Sequence, residues 1–194
     1  MTMDVLSDTA ETILRRTRPL LLAGGYDGFS YADVSDAVGI RKASIHHHFP
    51  TKAELVRVLV NRYREEAAAG LAYLDAHVPD PAERLRAYVG YWQTCIGTGT
   101  EPICVCALLA SQMPQLPEAV AVEVRAHFRT LAAWLAGMLV DGAARGRFRL
   151  TDDAAVEAEI FVATVHGAMI SSRAHDNPEL FERIVGPVVQ RMMV

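Results

Sequence analysis

Along this chain apolar residues return every three or four positions, with no run of strict alternation to set against them. That period belongs to amphipathic helices and predicts an all-α protein. In the first segment Ala10, Ile13, Leu14, Thr17, Leu20 and Leu21 form one stripe, which Gly24 and Gly25 end. Asp8 with Glu11 reads as a capping box at its start, and Pro19 predicts a local kink or a later helix start, because an interior proline removes a backbone bond. Ser30 can cap a helix over 31–38 that turns Val34, Ala37 and Val38 inward and stops at Gly39. A short helix over 42–48 buries Ile45 and ends at Phe49 and Pro50. Thr51 with Glu54 reads as a capping box for a longer helix carrying Leu55, Val56, Leu59 and Val60 toward a core. Proline and glycine then divide the remainder into helices over roughly 53–76, 81–97, 103–112, 118–145, 153–174 and 178–192.

Two helices of about two turns each, a glycine between them and a long helix after them are the pattern of a helix-turn-helix. The expected architecture is an N-terminal helix-turn-helix three-helix bundle over residues 1–52, followed by a larger helical bundle over 53–194. A chain of 194 residues suffices for both.

Charge sharpens this division. The net charge of −4 argues against indiscriminate nucleic-acid binding, yet residues 1–64 carry +2 and residues 65–194 carry −6. Both lysines, Lys42 and Lys52, flank the short helix with the run His46, His47, His48. Successive side chains on a helix diverge by about 100°, so these three histidines cannot close on one ion, and no Cys or carboxylate set follows at ligand spacing. No metal or cofactor site is expected. The apolar runs stay below the roughly eighteen residues of a membrane span and no export signal opens the chain, which predicts a cytoplasmic protein whose Cys95, Cys104 and Cys106 are thiols. With no Ser-His-acid set and no phosphate loop, nothing supports an enzyme.

The run GYDGFSYADVSDAVGIRKASIHHHFPTKAEL resembles the DNA-binding domain of the tetracycline-repressor (TetR) family of bacterial transcriptional regulators. The resemblance covers about residues 8–58 and rests on Gly25, Tyr26, Ser30, Val34, Gly39, Ile45, Phe49, Lys52 and Leu55 agreeing at once. Family members commonly have Tyr where His46 stands and a small polar residue where Arg41 stands. The resemblance implies an all-helical homodimer on a palindromic double-stranded DNA operator, usually a repressor, that releases DNA when a small-molecule effector enters the C-terminal domain.

Physical roles follow for the residues themselves. Ser30 and Tyr31 stand at a helix N-terminus, where free N–H groups suit a phosphate, and Lys42 and Lys52 stand at helix starts against the dipole preference, as though a phosphate were the missing anion. Arg41, Lys42, Ser44, His46 and His47 would form the exposed face of the recognition helix, with Ala43 permitting close approach to the groove. His48 is expected to pack or cap.

Candidate effector contacts in the larger bundle are Tyr88, Trp92, Cys95, Cys104, Phe128, Met138 and His166, although aromatics and methionines at helical spacing equally fit a plain core, and His127 and His166 fit structural histidines. The segment CVCALLASQMPQLPEAV with the later GAARGRF resembles one TetR subgroup in which a cysteine opens this helix and senses electrophiles in some members. Cys104 holds that position, behind Ile103 where glycine is common, so a cysteine-based electrophile or redox sensor of the same fold is the alternative reading. For dimerisation, Ala163, Gly167 and Ser171 offer a small-residue ridge, and Phe161, Phe181, Ile184 and Val188 supply apolar area. These residues either pair two copies, setting the recognition helices about 34 Å apart, or complete an intramolecular core.

Overall fold

A computed structural model describes residues 6–194 of the chain. Among the described residues it is helical throughout: α1 Asp8–Gly24, α2 Tyr31–Val38, α3 Lys42–His48, α4 Lys52–His77, α5 Pro81–Thr98, α6 Val105–Ala110, α7 Glu118–Ala144, α8 Ala154–Ala174 and α9 Glu179–Met192. The expected elements are all present, and most boundaries agree to within a residue or two. Where the expected helix over 103–112 stood, α6 is shorter, and a 3-10 turn at Met113–Gln115 follows it because Pro114 cannot supply a helical N–H.

Local chemistry sets the ends. Ser7, not Asp8, caps α1, its hydroxyl accepting from the Ala10 N–H, and α1 begins at Asp8 with an exposed Pro19 inside it. The expected later start is therefore corrected. Ser30 and Asp33 form a reciprocal capping box on α2. Thr51 Oγ1 accepts from the Glu54 N–H at 3.1 Å, but the Glu54 carboxylate turns away to Arg57 at 2.8 Å, so the box expected there is half made. Asp80 caps α5 ahead of Pro81, which sits where a missing N–H costs nothing.

The chain forms two compact units, one of the chain up to Arg64 with Val105–Arg125, the other of Glu65–Cys104 with Ala126–Val194. In the first, α1 packs on α2 and α6, and α2 packs on α3. Its core holds Ile13, Leu21, Val34, Ile45, Phe49, Leu55 and Val56, each almost fully buried and each stabilising by about 1.5–3 kcal/mol. Gly39 makes the turn between α2 and α3 at φ 77°, a left-handed conformation that suits glycine.

In the second unit α9 packs on α8 and on α5. Tyr88, Trp92, Leu135, Leu139, Phe161, Val165, Met169, Phe181 and Val185 fill the interior. Phe161 and Phe181 are 1% and 0% exposed, so they belong to this core and not to the surface expected to pair two copies. On α9 Phe181 shares the single apolar face with Val185 and Val189, and that face is the buried one. For Phe161 the reason lies in α8, whose apolar residues do not gather on one face, so its periodicity cannot mark which side is covered. By length and mean hydropathy α8 could cross a membrane, but Glu157, Glu159 and Arg173 interrupt it, so no unbroken apolar run of that length occurs, as expected. Its residues divide by face, however: Ala158, Phe161, Val165 and Met169 are buried, while Val156, Ile160, Ala163, Gly167 and Ile170 make an exposed stripe at spacings of four, three, four and three.

Candidate nucleic-acid interface and ligand groove

The α3 surface is built from behind. Ser30 is fully engaged in its capping box: its hydroxyl accepts from the Ala32 N–H at 3.2 Å and donates to Asp33 Oδ2 at 2.7 Å, and its N–H donates to the same carboxylate oxygen at 2.7 Å. These bonds hold the Asp33 carboxyl below its ordinary value, with the Lys42 ammonium adding a smaller pull. The Tyr31 hydroxyl donates to the Phe49 carbonyl at 2.8 Å, tying the start of α2 to the end of α3. Burial pushes that phenol up to about 12. The His46 ring lies against the Tyr31 ring at 4.6 Å and its Nδ1 stands 3.3 Å from the Pro50 carbonyl. Lys52 donates to the Phe29 carbonyl, its ammonium over the Phe29 ring at 4.4 Å and the Tyr26 ring at 5.1 Å, and burial lowers its pKa.

Of the nine residues expected at DNA, then, Ser30, Tyr31, His46 and Lys52 have partners within the chain that fix α3. Arg41, Lys42, Ala43, Ser44 and His47 are exposed together along the first turns of α3. Arg41 occupies the N-cap position without a side-chain cap bond, leaving its guanidinium to point elsewhere. His48 is half-buried, edge-on to His47 at 5.4 Å. The surface offers two cations, a hydroxyl and an imidazole around a small residue that lets a helix come close, which is the donor set of a groove-reading helix.

Two supporting groups escaped the sequence reading. Asp33 was legible, since Ser-x-x-Asp is a capping-box spacing. Gln112 was not: its Oε1 accepts from the Tyr26 N–H at 2.8 Å across 86 positions of sequence, and its side chain fills the space where a Cβ on Gly25 would stand. Gly25 sits at φ 71°, ψ −164°, a region essentially reserved for glycine.

In the larger unit the expected ligand residues fall into two groups. Tyr88, Trp92, Cys95, Cys104 and Met138 are buried. Cys104 Sγ lies 3.7 Å from Nε2 of His127, a second residue the expected set missed, and burial raises the Tyr88 phenol, with the Cys104 thiol nearby adding to the effect. Phe128 and His166, by contrast, meet at 5.1 Å in an open groove of about 390 Å³ between α7 and α8, with Arg129, Ala132, Glu159, Val162 and Ala163. His166 is 6% exposed, and neither of its ring nitrogens has a hydrogen-bond partner. The expectation of a satisfied structural histidine holds for His127 and not for His166. On the expected pairing surface, Ala163 and Gly167 are exposed and Ser171, Ile184 and Val188 half-buried. Among the described residues no three His, Cys, Asp or Glu side chains converge as metal ligands would.

Residues 13–59 match the family model for bacterial regulatory proteins of the tetR family, and residues 81–186 match the tetracyclin repressor-like C-terminal domain. The chain belongs to the TetR family. It is a TetR-family transcriptional regulator with a helix-turn-helix DNA-binding domain and a ligand-binding C-terminal domain, in a family whose regulators are in general non-enzymatic. It is 55% identical to a TetR-family transcriptional regulator from Agrobacterium tumefaciens, over 96% of this chain and 98% of that one, with a TM-score of 0.94. TetR regulators from Legionella pneumophila (23% identical, 97% and 99% covered, TM-score 0.85) and Rhodobacter sphaeroides (20%, 96% and 100%, 0.88) share the fold. Among curated proteins no sequence matches the chain.

Proposed function

We propose that this TetR regulator acts as a cytoplasmic homodimer that binds a palindromic operator, represses transcription there, and lets go when a small molecule occupies the larger unit. Residues 1–52 supply the DNA-reading head and 53–194 the effector and pairing domain. The observation that carries the reading is the division of labour at α3: Arg41, Lys42, Ala43, Ser44 and His47 lie exposed on a helix whose other polar neighbours are bonded inward. Lys42 and Arg41 contact phosphate or base edges and His47 one base. The exposed stripe on α8, with Ile184 and Val188 of α9, is the surface for a two-fold partner, since isolated apolar area of this regularity is stabilised by a matching copy.

Selection of bound duplexes from a randomised pool, with wild type and with Lys42→Ala and His47→Ala, tests this. The expected result is one palindromic site, bound more weakly by Lys42→Ala and read with one relaxed position by His47→Ala. No enrichment at low salt would sink the proposal.

A second reading has one observation in its favour. The Cys104 sulfur lies 3.7 Å from Nε2 of the His127 imidazole, so an electrophile or oxidant reaching the interior would meet a thiol with a proton acceptor beside it. Operator release by N-ethylmaleimide that Cys104→Ser abolishes would establish that route, and release without Cys104 would dismiss it.

A further inference from the structure

We propose that the groove between α7 and α8 is the effector site and that it takes an uncharged aromatic molecule bearing a hydroxyl, of the phenol or naphthol class, held by His166. The proposal rests on the reading of the larger unit as a ligand-binding domain and names the chemistry of its ligand. Three properties of the groove select that class.

The first is the unmet demand of His166. Its ring is more than nine-tenths buried and both nitrogens lack a partner, whereas buried polar groups in folded proteins are as a rule bonded. A neutral imidazole holds one donor and one acceptor nitrogen, and a hydroxyl both donates and accepts, so it can pair with either nitrogen in either tautomer. An ether offers only an acceptor and a carboxylate only acceptors with a charge.

The second is charge. The groove's ionic side chains, Arg129 and Glu159, are exposed and opposite in sign, so an anion or a cation would gain from one and lose to the other. A neutral ligand incurs no such penalty. The third is shape and surface. Phe128 stands tilted at 67° to the His166 ring, and Ala132 and Val162 complete an apolar wall, an arrangement that suits the edge or face of another ring. About 390 Å³ lies at the small end of ligand pockets, room for about two fused rings.

The full-length protein titrated calorimetrically with 2-naphthol, 2-methoxynaphthalene and 2-naphthoate decides the matter. Wild type should bind 2-naphthol about tenfold or more tightly than either of the others. His166→Phe, checked for a native melt, should bring 2-naphthol to the level of 2-methoxynaphthalene and leave the latter unchanged. His166→Gln, which keeps a donor and an acceptor, should recover part of the preference. Equal affinities, a preference that survives His166→Phe, or tightest binding of 2-naphthoate would overturn the proposal. So would a groove that binds no probe while His166→Phe changes the sedimentation of the dimer, since a side chain of a second copy would then be its occupant, entering past Ala163. Binding of the selected operator without any probe is measured alongside. Retained operator binding with no naphthol preference removes the ligand class alone, and failure to select an operator removes the regulator reading alone.

Discussion

The DNA-reading head and the ligand-binding unit treat their polar side chains in opposite ways. Behind α3, the Ser30 hydroxyl, the Tyr31 phenol and the Lys52 ammonium all find partners a few residues or a few tens of residues away, while Arg41, Lys42, Ala43, Ser44 and His47 face outward. In the larger unit His166 and the Ser172 hydroxyl are buried without partners among the described residues. The head is a finished object that presents a fixed pattern to DNA. The ligand-binding unit retains an unmet polar group where a ligand can supply the missing bond, and a finished interior would have no reason to change when a ligand arrives.

If that contrast is right, substitutions in the head's frame should destabilise, beginning with the backbone. Gly25→Ala is expected to cost about 2–3 kcal/mol, because the backbone at φ 71°, ψ −164° excludes a side chain and the Gln112 amide that receives the Tyr26 N–H occupies the space. Thermal melts should show the loss, and operator affinity should fall with it. An unchanged melting temperature would mean that the junction is looser than drawn.

A smaller effect separates the two lysines. Lys52→Met keeps the aliphatic stem but removes the bond to the Phe29 carbonyl and the contacts over two rings, and should lower stability by about 1–2 kcal/mol while leaving the salt dependence of operator binding nearly unaltered. Lys42→Ala should do the reverse, with stability kept and the salt slope reduced by about one. Should Lys52→Met reduce the slope equally, its ammonium reaches phosphate and the frame is less closed than the geometry implies.

In the ligand-binding unit the sign should invert. His166→Phe is expected to raise the stability of the unliganded protein by about 1 kcal/mol, since it removes a buried group that lacks its bonds and leaves an apolar neighbour for Phe128. A lower melting temperature would show that the imidazole is already satisfied in solution.

How much of this was legible beforehand follows the same division. The head could be read because its signals are local: Ser30 before Tyr31, Gly39 in the turn, Ile45 between exposed neighbours, Thr51 ahead of α4. Each is a relation over a few residues, and helix periodicity marks the inward side to within a position, placing Val34 correctly but also turning in Ala37, which is exposed, and Val38, which is half-buried. Apart from Asp33, whose capping box with Ser30 was legible, what escaped there spans long intervals, such as Gln112 on Tyr26 or Lys52 on Phe29, for which no pattern exists in one sequence. The larger unit was legible as helices and hardly as a site. The apolar residues of α7 and α8 do not gather on one face, so periodicity could not tell that Phe161 completes the core. α9 does have one apolar face, but periodicity alone does not say whether a second copy or its own unit covers Phe181. Arg129, Glu159 and Val162, which line the groove with Phe128 and His166, gave no sign of facing one another.

The finest test concerns one exposed carboxylate in the head. Asp33 takes bonds from the hydroxyl and the N–H of Ser30, which hold its pKa below the ordinary value of 3.8 in the folded chain. A depressed acid binds its proton more weakly when folded than when unfolded, so its contribution is complete above the ordinary value and disappears as pH falls through the lowered one. The melting temperature of wild type should therefore exceed that of Asp33→Ala at neutral pH by a small margin, and the margin should close as acidification passes through the lowered value. Every other carboxylate is common to both proteins, so the difference isolates the cap. A margin that stayed constant would assign the start of α2 to the Ser30 hydroxyl alone, and the head would hold its reading helix with one fewer bond than its geometry shows.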